Sequence, residues 1–254
     1  MPPSLYHTAL VWSPFCFFAS AVATTYVLKY VVRRRRSKEL SVHNPCMLPP
    51  TTTVLDLIGN TPLLYLPHLS ELYGVDIYGK AEYLNPGGSI KDRAAKSLVL
   101  ASISSGSLRR EGAVVEGTGG NTGVGLSLVS SALGHPAHMC MPSNASQEKQ
   151  TAMKAFGATI EVCSTQWGST DPGHYTQRAK SFSESTAGSV WTNQFLSLAN
   201  YRAHYDGTGV EILRQIPGLD AFACGAGTGG TIAGVGRRIK VRGACTWEWS
   251  TETT

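Results

Sequence analysis

Two strand-to-helix junctions in this 254-residue chain consist almost wholly of glycine, threonine and asparagine. They are Glu116-Gly117-Thr118-Gly119-Gly120-Asn121-Thr122-Gly123 and Cys224-Gly225-Ala226-Gly227-Thr228-Gly229-Gly230-Thr231. Each follows a short apolar run (112–116 and 221–224) and precedes a helical pattern (124–133, and on to about 240). Further strand patterns read at 75–83, 137–141 and 159–163. Helical patterns read at 89–102, 147–156 ended by Gly157, about 175–184, and 206–215. Strands alternating with helices build βαβ units and a mostly parallel sheet. In such sheets ligands bind at the carboxyl ends of strands, where both glycine-rich turns fall. Without Cβ atoms, glycines let backbone N–H groups approach an anion, and the following helix dipole attracts negative charge.

The two junctions suit different anions. Thr118, Asn121 and Thr122 surround the first with side-chain donors, which suits a carboxylate or a ring hydroxyl; the alternative is a plain tight turn. The second offers successive amides and two threonine hydroxyls, a cradle for a phosphate. It also spells G-x-G-x-x-G at Gly225, Gly227 and Gly230. A dinucleotide site needs an acidic residue roughly 20 positions on, at the end of a strand. Glu248 has the distance but lies among Trp, Ser and Thr with no strand pattern. Gly74–Ala81 imitates a P-loop but lacks the Ser or Thr after Lys80 that would bind magnesium.

A third loop is Asn85-Pro86-Gly87-Gly88-Ser89-Ile90-Lys91-Asp92-Arg93. Ser89 and Asp92 have capping-box spacing, which places Lys91 in the first helical turn, where the dipole disfavours a cation. Such a field lowers an amine's pKa and prepares it to condense with an aldehyde. A surface lysine paired with Asp92 is the plainer reading. A reactive lysine, a phosphate cradle and a separate carboxylate site together point to pyridoxal 5′-phosphate.

Composition narrows the remaining classes. The net charge of +5 is concentrated: six of the 22 Lys and Arg (Lys29, Arg33, Arg34, Arg35, Arg36, Lys38) lie within residues 29–38. The other 16 face 17 Asp and Glu, which argues against a nucleic-acid groove. Thr8 to Leu28 holds no charged residue in 21 positions. At about 1.5 Å per residue it could span a bilayer core. The basic block after it predicts a body on the cytosolic side; the mitochondrial outer membrane and the endoplasmic reticulum both fit, and a targeting segment is the alternative. Residues 37–53 read as a linker, so 1–53 form an expected anchor, basic stop and linker. The globular part is expected over 54–240. The six Cys are scattered without CxxC pairs, and His135, His138, His174 and His204 show no metal-ligand spacing, so no metal is expected. Asn144-Ala145-Ser146 is a glycosylation sequon only if lumenal.

The loops also carry a family resemblance. Together with Ile58-Gly59-Asn60-Thr61-Pro62-Leu63, Met141-Pro142-Ser143, Lys154-Ala155-Phe156-Gly157-Ala158, Asn193-Gln194-Phe195 and Thr208-Gly209-Val210-Glu211-Ile212, they run in one order over about 54–240. The chain thereby resembles the cysteine synthase / cystathionine β-synthase family of fold-type II pyridoxal-phosphate enzymes, and its anchor resembles membrane-anchored fungal mitochondrial members. The resemblance implies two three-layer αβα domains with mostly parallel sheets, and a possible homodimer. It implies that Lys91 holds the cofactor and moves the substrate's α-proton, and that Asn121 bonds the cofactor's 3′ oxygen. Gly227, Thr228, Gly229, Gly230 and Thr231 would bind the phosphate, and Thr118, Gly120, Thr122 and Gln194 the substrate carboxylate. The implied reaction is β-replacement on an O-acetylserine-like substrate with sulfide, giving cysteine and acetate. Serine or threonine dehydration and a cystathionine β-synthase-like reaction use the same loops. Two departures stand out. Gly119 replaces the family's usual serine, and 241–254 resembles no continuation of the large domain. The second leads to an expected C-terminal truncation, an incomplete large domain, and the alternative of a non-catalytic remnant or membrane-anchored interaction protein.

Overall fold

A computed structural model describes the backbone of residues 29–33 and the whole of 53–166 and 168–241. The elements in order are β1 (Lys29–Arg33), β2 (Leu63–Tyr65), α1 (Pro67–Tyr73), β3 (Asp76–Lys80), α2 (Lys91–Ser104), β4 (Val114–Gly117), α3 (Asn121–Ala132), β5 (Ala137–Pro142), α4 (Gln147–Ala155), β6 (Thr159–Cys163), α5 (Tyr175–Ser185), β7 (Val190–Trp191) and α6 (Leu198–Arg202). A π-helical turn (Ala203–Thr208), α7 (Gly209–Gln215), β8 (Ala221–Ala223) and α8 (Gly230–Val241) follow.

One sheet, ordered β6-β5-β4-β7, is parallel throughout. All four residues of β4 are buried, as expected of a strand with helices on both faces. On one face Leu98 and Val99 of α2, Leu126 and Val129 of α3 and Met153 of α4 pack on Val114, Met139 and Met141. On the other, Val115, Cys140 and Cys163 meet Ala179, Tyr175 and Phe182 of α5. The alternation along β5 thus divides its side chains between two cores. Helix α4 begins where Ser146 accepts a hydrogen bond from the Lys149 amide at 3.3 Å and stops before Gly157, whose φ of 84° ends a helix cheaply.

The other sheet, ordered β2-β3-β1-β8, corrects the expectation of mostly parallel pairing: its three contacts are all antiparallel. Strands β3 and β8 run the same way, but β1 lies between them in the opposite sense, from Lys29 opposite Lys80 to Arg33 opposite Asp76. Lys29–Arg33, expected to open a basic stop, is therefore an inner strand. The expected span over 8–28 lies outside the described residues, as do most of the linker and the 242–254 tail. Among the described residues no helix is long and apolar enough to cross a membrane. A separate core of Tyr78, Ile212, Ile216, Phe222, Val235 and Ile239 joins this sheet to α7 and α8.

Candidate active site

The Lys91 loop is held from three sides. The Asn85 Oδ1 accepts from the Gly59 amide at 2.9 Å, while its Nδ2 donates to the Glu82 carbonyl and carboxylate at 2.8 and 2.9 Å. The expected capping box does not form. The Ser89 Oγ accepts from the Lys91 amide at 3.1 Å, but the Asp92 carboxylate turns back to the Gly87 amide at 2.5 Å. The reason lies in the backbone: Gly88 takes φ +80°, and the tight turn aims the Gly87 N–H at the helix end. Lys91 is the first residue of α2, and its Nζ donates to the Thr228 Oγ1 at 3.4 Å. Loops separated by more than a hundred residues thus meet at one ammonium. Burial lowers the Lys91 pKa, and the facing Cys224 opposes that only in part.

The Thr118–Gly123 loop is organised by the strand beside it. The Thr118 amide donates to the Cys140 carbonyl at 2.9 Å, and the Gly120 amide to the Thr118 Oγ1 at 3.2 Å. The Thr122 hydroxyl donates to the Gln194 Oε1 at 2.5 Å, so the residues expected to share the substrate carboxylate do converge. Gln194 is placed by Glu116, whose buried carboxylate accepts from the Gln194 amide at 3.0 Å and the Thr192 hydroxyl at 2.7 Å. Burial raises the Glu116 pKa, and these donors pull against it. Among the described residues the Asn121 side chain has no hydrogen-bond partner. At Gly119 a Cβ would sit 3.1 Å from the Pro142 ring and 3.2 Å from the Ala145 methyl. The family's serine would fit only after those neighbours shift.

The third loop is open. A Cβ at Gly225, Gly227 or Gly229 would meet nothing within 4 Å, and Gly229 has φ +78°. Among the described residues the amides from Gly225 to Gly229 donate to no backbone carbonyl. Thr228 is fixed by the Asn200 Nδ2, which donates to its hydroxyl at 2.8 Å and to the Gln194 carbonyl at 2.9 Å. The Asn200 Oδ1 is buried without a partner. Thr231 faces away, with its hydroxyl 3.2 Å from the Nε2 of buried His204, whose Nδ1 lies 3.0 Å from the Thr208 Oγ1. Its hydroxyl is therefore engaged, and its amide at the start of α8 is the part available to an anion. Unsatisfied amides, side-chain-free space and a desolvated lysine amine at one edge fit a phosphate-bearing aldehyde.

Three contributors escape a reading along the chain. Asn200 joins the Gln194 and Thr228 loops, yet an Asn in a short helix gives no local signal. Glu116 precedes its loop and looks like an ordinary strand residue. The third is a buried ion cluster. Arg93 Nε and Nη1 lie 2.8 and 2.6 Å from Glu82 and Glu211, and Lys80 Nζ lies 2.8 Å from Glu211. Burial alone would raise the Glu211 carboxyl, but Arg93 and then Lys80 outweigh it and hold it at about 2. The same carboxylate accepts from the Asn60 amide at 3.0 Å, which ties the Ile58–Leu63 and Thr208–Ile212 motifs together.

Comparison with known proteins follows this geometry. Cysteine synthase 1 of Neurospora crassa is 46% identical over 184 residues, covering 72% of this chain and 49% of that protein. The cystathionine beta-synthase of Saccharomyces cerevisiae is 40% identical over 196 residues, covering 74% and 39%. The chain spans about half the length of the curated relatives it matches. Among solved structures, an O-acetylserine dependent cystathionine beta-synthase from Helicobacter pylori superposes with TM-score 0.68 at 32% identity, covering 77% of this chain and 64% of that one. An O-ureido-L-serine synthase also gives 0.68 at 32% identity, covering 76% and 60%. The family model of pyridoxal-phosphate dependent enzymes matches residues 54–247, and to that family this chain belongs.

Proposed function

We propose that the site binds pyridoxal 5′-phosphate through Lys91 and carries out β-replacement on an O-acetylserine-like amino acid, with sulfide as incoming nucleophile. The observation that carries this reading is the contact of Lys91 Nζ with Thr228, 3.4 Å away, in a loop whose amides have no protein acceptor among the described residues. When bound, the cofactor supplies an aldehyde for the amine and a ring that delocalises the electrons left on the substrate α-carbon. The chain's own residues do the rest. The amides of Gly227–Thr231, at the start of α8, hold the phosphate. The unpartnered Asn121 carboxamide donates to the ring oxygen. Thr118, Gly120, Thr122 and Gln194 hold the α-carboxylate, with Thr122 and Gln194 orienting each other. Lys91, whose amine pKa burial lowers, takes the α-proton and later returns it. Acetate departs with the β-carbon–oxygen electron pair, and hydrosulfide then forms the carbon–sulfur bond. The names of the similar proteins, cysteine synthase and an O-acetylserine dependent enzyme, support this chemistry.

The test supplies the full chain with cofactor, O-acetylserine and sulfide. Cysteine and acetate should appear in equal amounts and vanish in Lys91→Ala. Pyruvate formed from serine without sulfide would instead identify a dehydratase. No turnover beyond that of Lys91→Ala would overturn the reading.

A further inference from the structure

Spacing along the chain gives His138 no ligand partner, but the parallel sheet supplies two. On β5, His138 and Cys140 share a face. On β6, Glu161 pairs in register with Cys140. One carboxylate oxygen, Glu161 Oε2, lies 3.4 Å from the His138 Nε2 and 3.9 Å from the Cys140 Sγ, and the three donor atoms fall within 4.8 Å of one another. We propose that His138, Cys140 and Glu161 form a binding site for a thiophilic divalent cation, with zinc the best match, on the α5 face of the parallel sheet and separate from the Lys91 site.

Four observations support this. First, the donor set is one imidazole nitrogen, one sulfur and one carboxylate oxygen, the combination zinc takes. Zinc bonds of about 2.0–2.3 Å place tetrahedral donors roughly 3.3–3.8 Å apart, so the site needs only small side-chain adjustments. Second, the ligands stand on neighbouring hydrogen-bonded strands, so their spacing is set by the sheet. Third, the outer groups orient them. The His138 ring stacks on Phe182 with centroids 3.7 Å apart and planes 5° from parallel, leaving Nε2 turned to Glu161. The Arg178 Nε holds the other carboxylate oxygen, Oε1, at 2.6 Å. Such partners fix ligand geometry in known metal centres. Fourth, Cys163 of β6, its Sγ 3.9 Å from the Glu161 carbonyl, lies in the same buried cluster as Cys140, and water can fill the fourth position.

Without metal the Cys140 thiol donates to Glu161; a bound cation would take that proton's place.

The experiment strips the full-length holoenzyme with a chelator, dialyses it against zinc, and measures retained metal by elemental analysis. One zinc per chain is expected, falling close to zero in both His138→Ala and Cys140→Ala. Cobalt should give a sulfur-to-metal charge-transfer band that Cys140→Ala lacks. Since Cys140→Ala could fail to fold, Glu161→Gln is the second variant. Without metal it should melt much as the wild type does, yet bind zinc at least tenfold more weakly. No retained zinc, or zinc retained equally by these variants on thiols elsewhere, would overturn the proposal. The visible absorbance of the bound cofactor should be the same with and without zinc; a loss on zinc removal would contradict two separate sites.

Discussion

The two glycine-rich junctions look alike in sequence and differ in what their glycines are for. In the first junction Gly117, Gly119 and Gly123 serve the protein's own packing, while Gly120 is open. A Cβ at Gly117 would lie 2.6 Å from the Thr176 Cα, and one at Gly123 2.5 Å from the Met153 Cε. In the second, a Cβ at Gly225, Gly227 or Gly229 would meet nothing within 4 Å, and only Gly230, against the Asn200 carboxamide, is required by packing. Close-packed interiors exclude a methyl, whereas open glycines with unsatisfied amides make sense as a surface shaped for a ligand. The first junction is a packed wall carrying a few aimed donors, and the second is a cradle.

The largest effect expected concerns Asp92, which joins the Lys91 turn to the packed wall. Its Oδ1 is buried, unpartnered, and 3.1 Å from where a Cβ on Gly125 would stand. Burial raises this carboxyl to about 7, despite the Gly87 hydrogen bond. The folded protein therefore keeps a proton that the unfolded chain loses near pH 4, so stability falls as pH rises from about 4 to 7 and is level above. Each unit is worth about 1.4 kcal/mol. Asp92→Asn keeps an acceptor for Gly87 and should flatten that slope in urea unfolding measured across pH. Glu211 acts in the opposite sense and in a different window. Its lowered carboxyl adds stability above about pH 4 that is lost as pH falls toward 2.

Gly117→Ala comes next. The obstructing atom is backbone of α5, which cannot swing aside, so a loss of about 1–3 kcal/mol is expected from denaturant midpoints. Gly123→Ala should cost less, because the flexible end of Met153 can yield. Equal costs at 117 and 227 would break the contrast between wall and cradle. Thr228→Val deprives the Asn200 amide of one of its two acceptors and should cost about 1–2 kcal/mol, together with weaker cofactor binding. Gly227→Ala should leave unfolding within about 0.5 kcal/mol of wild type. It should nonetheless weaken cofactor affinity about tenfold or more, as expected from disturbing one charged hydrogen bond, read by fluorescence titration. Gly119→Ser should cost about 1 kcal/mol of stability, as Pro142 and Ala145 give way, while shifting the preference between amino-acid substrates in competition assays.

Local features read well from the sequence and long-range ones did not. The β6 strand falls at 159–163 as expected, and the α4 stop at Gly157 follows from one residue's freedom at positive φ. The convergence of Lys91 with the Gly227–Thr231 loop was legible because each loop carries its own signal. The capping box at Ser89 was misread because a nearer amide, that of Gly87, took the Asp92 carboxylate. The antiparallel insertion of β1 was hidden for another reason: Lys29–Arg33 is a basic, apolar run whose pairing partners lie dozens of residues away. Asn200, the Arg93 ion cluster and the His138–Cys140–Glu161 group share that difficulty, since each exists only once distant segments fold together.

The account rests on one amine. Borohydride reduction of the cofactor-loaded chain, followed by peptide mass mapping, tests it most directly. The pyridoxyl mass is expected on the peptide containing Lys91, with labelling sharply reduced in Gly227→Ala at limiting cofactor. Label absent from Lys91, or spread over other lysines and unaffected by Gly227→Ala, would contradict it.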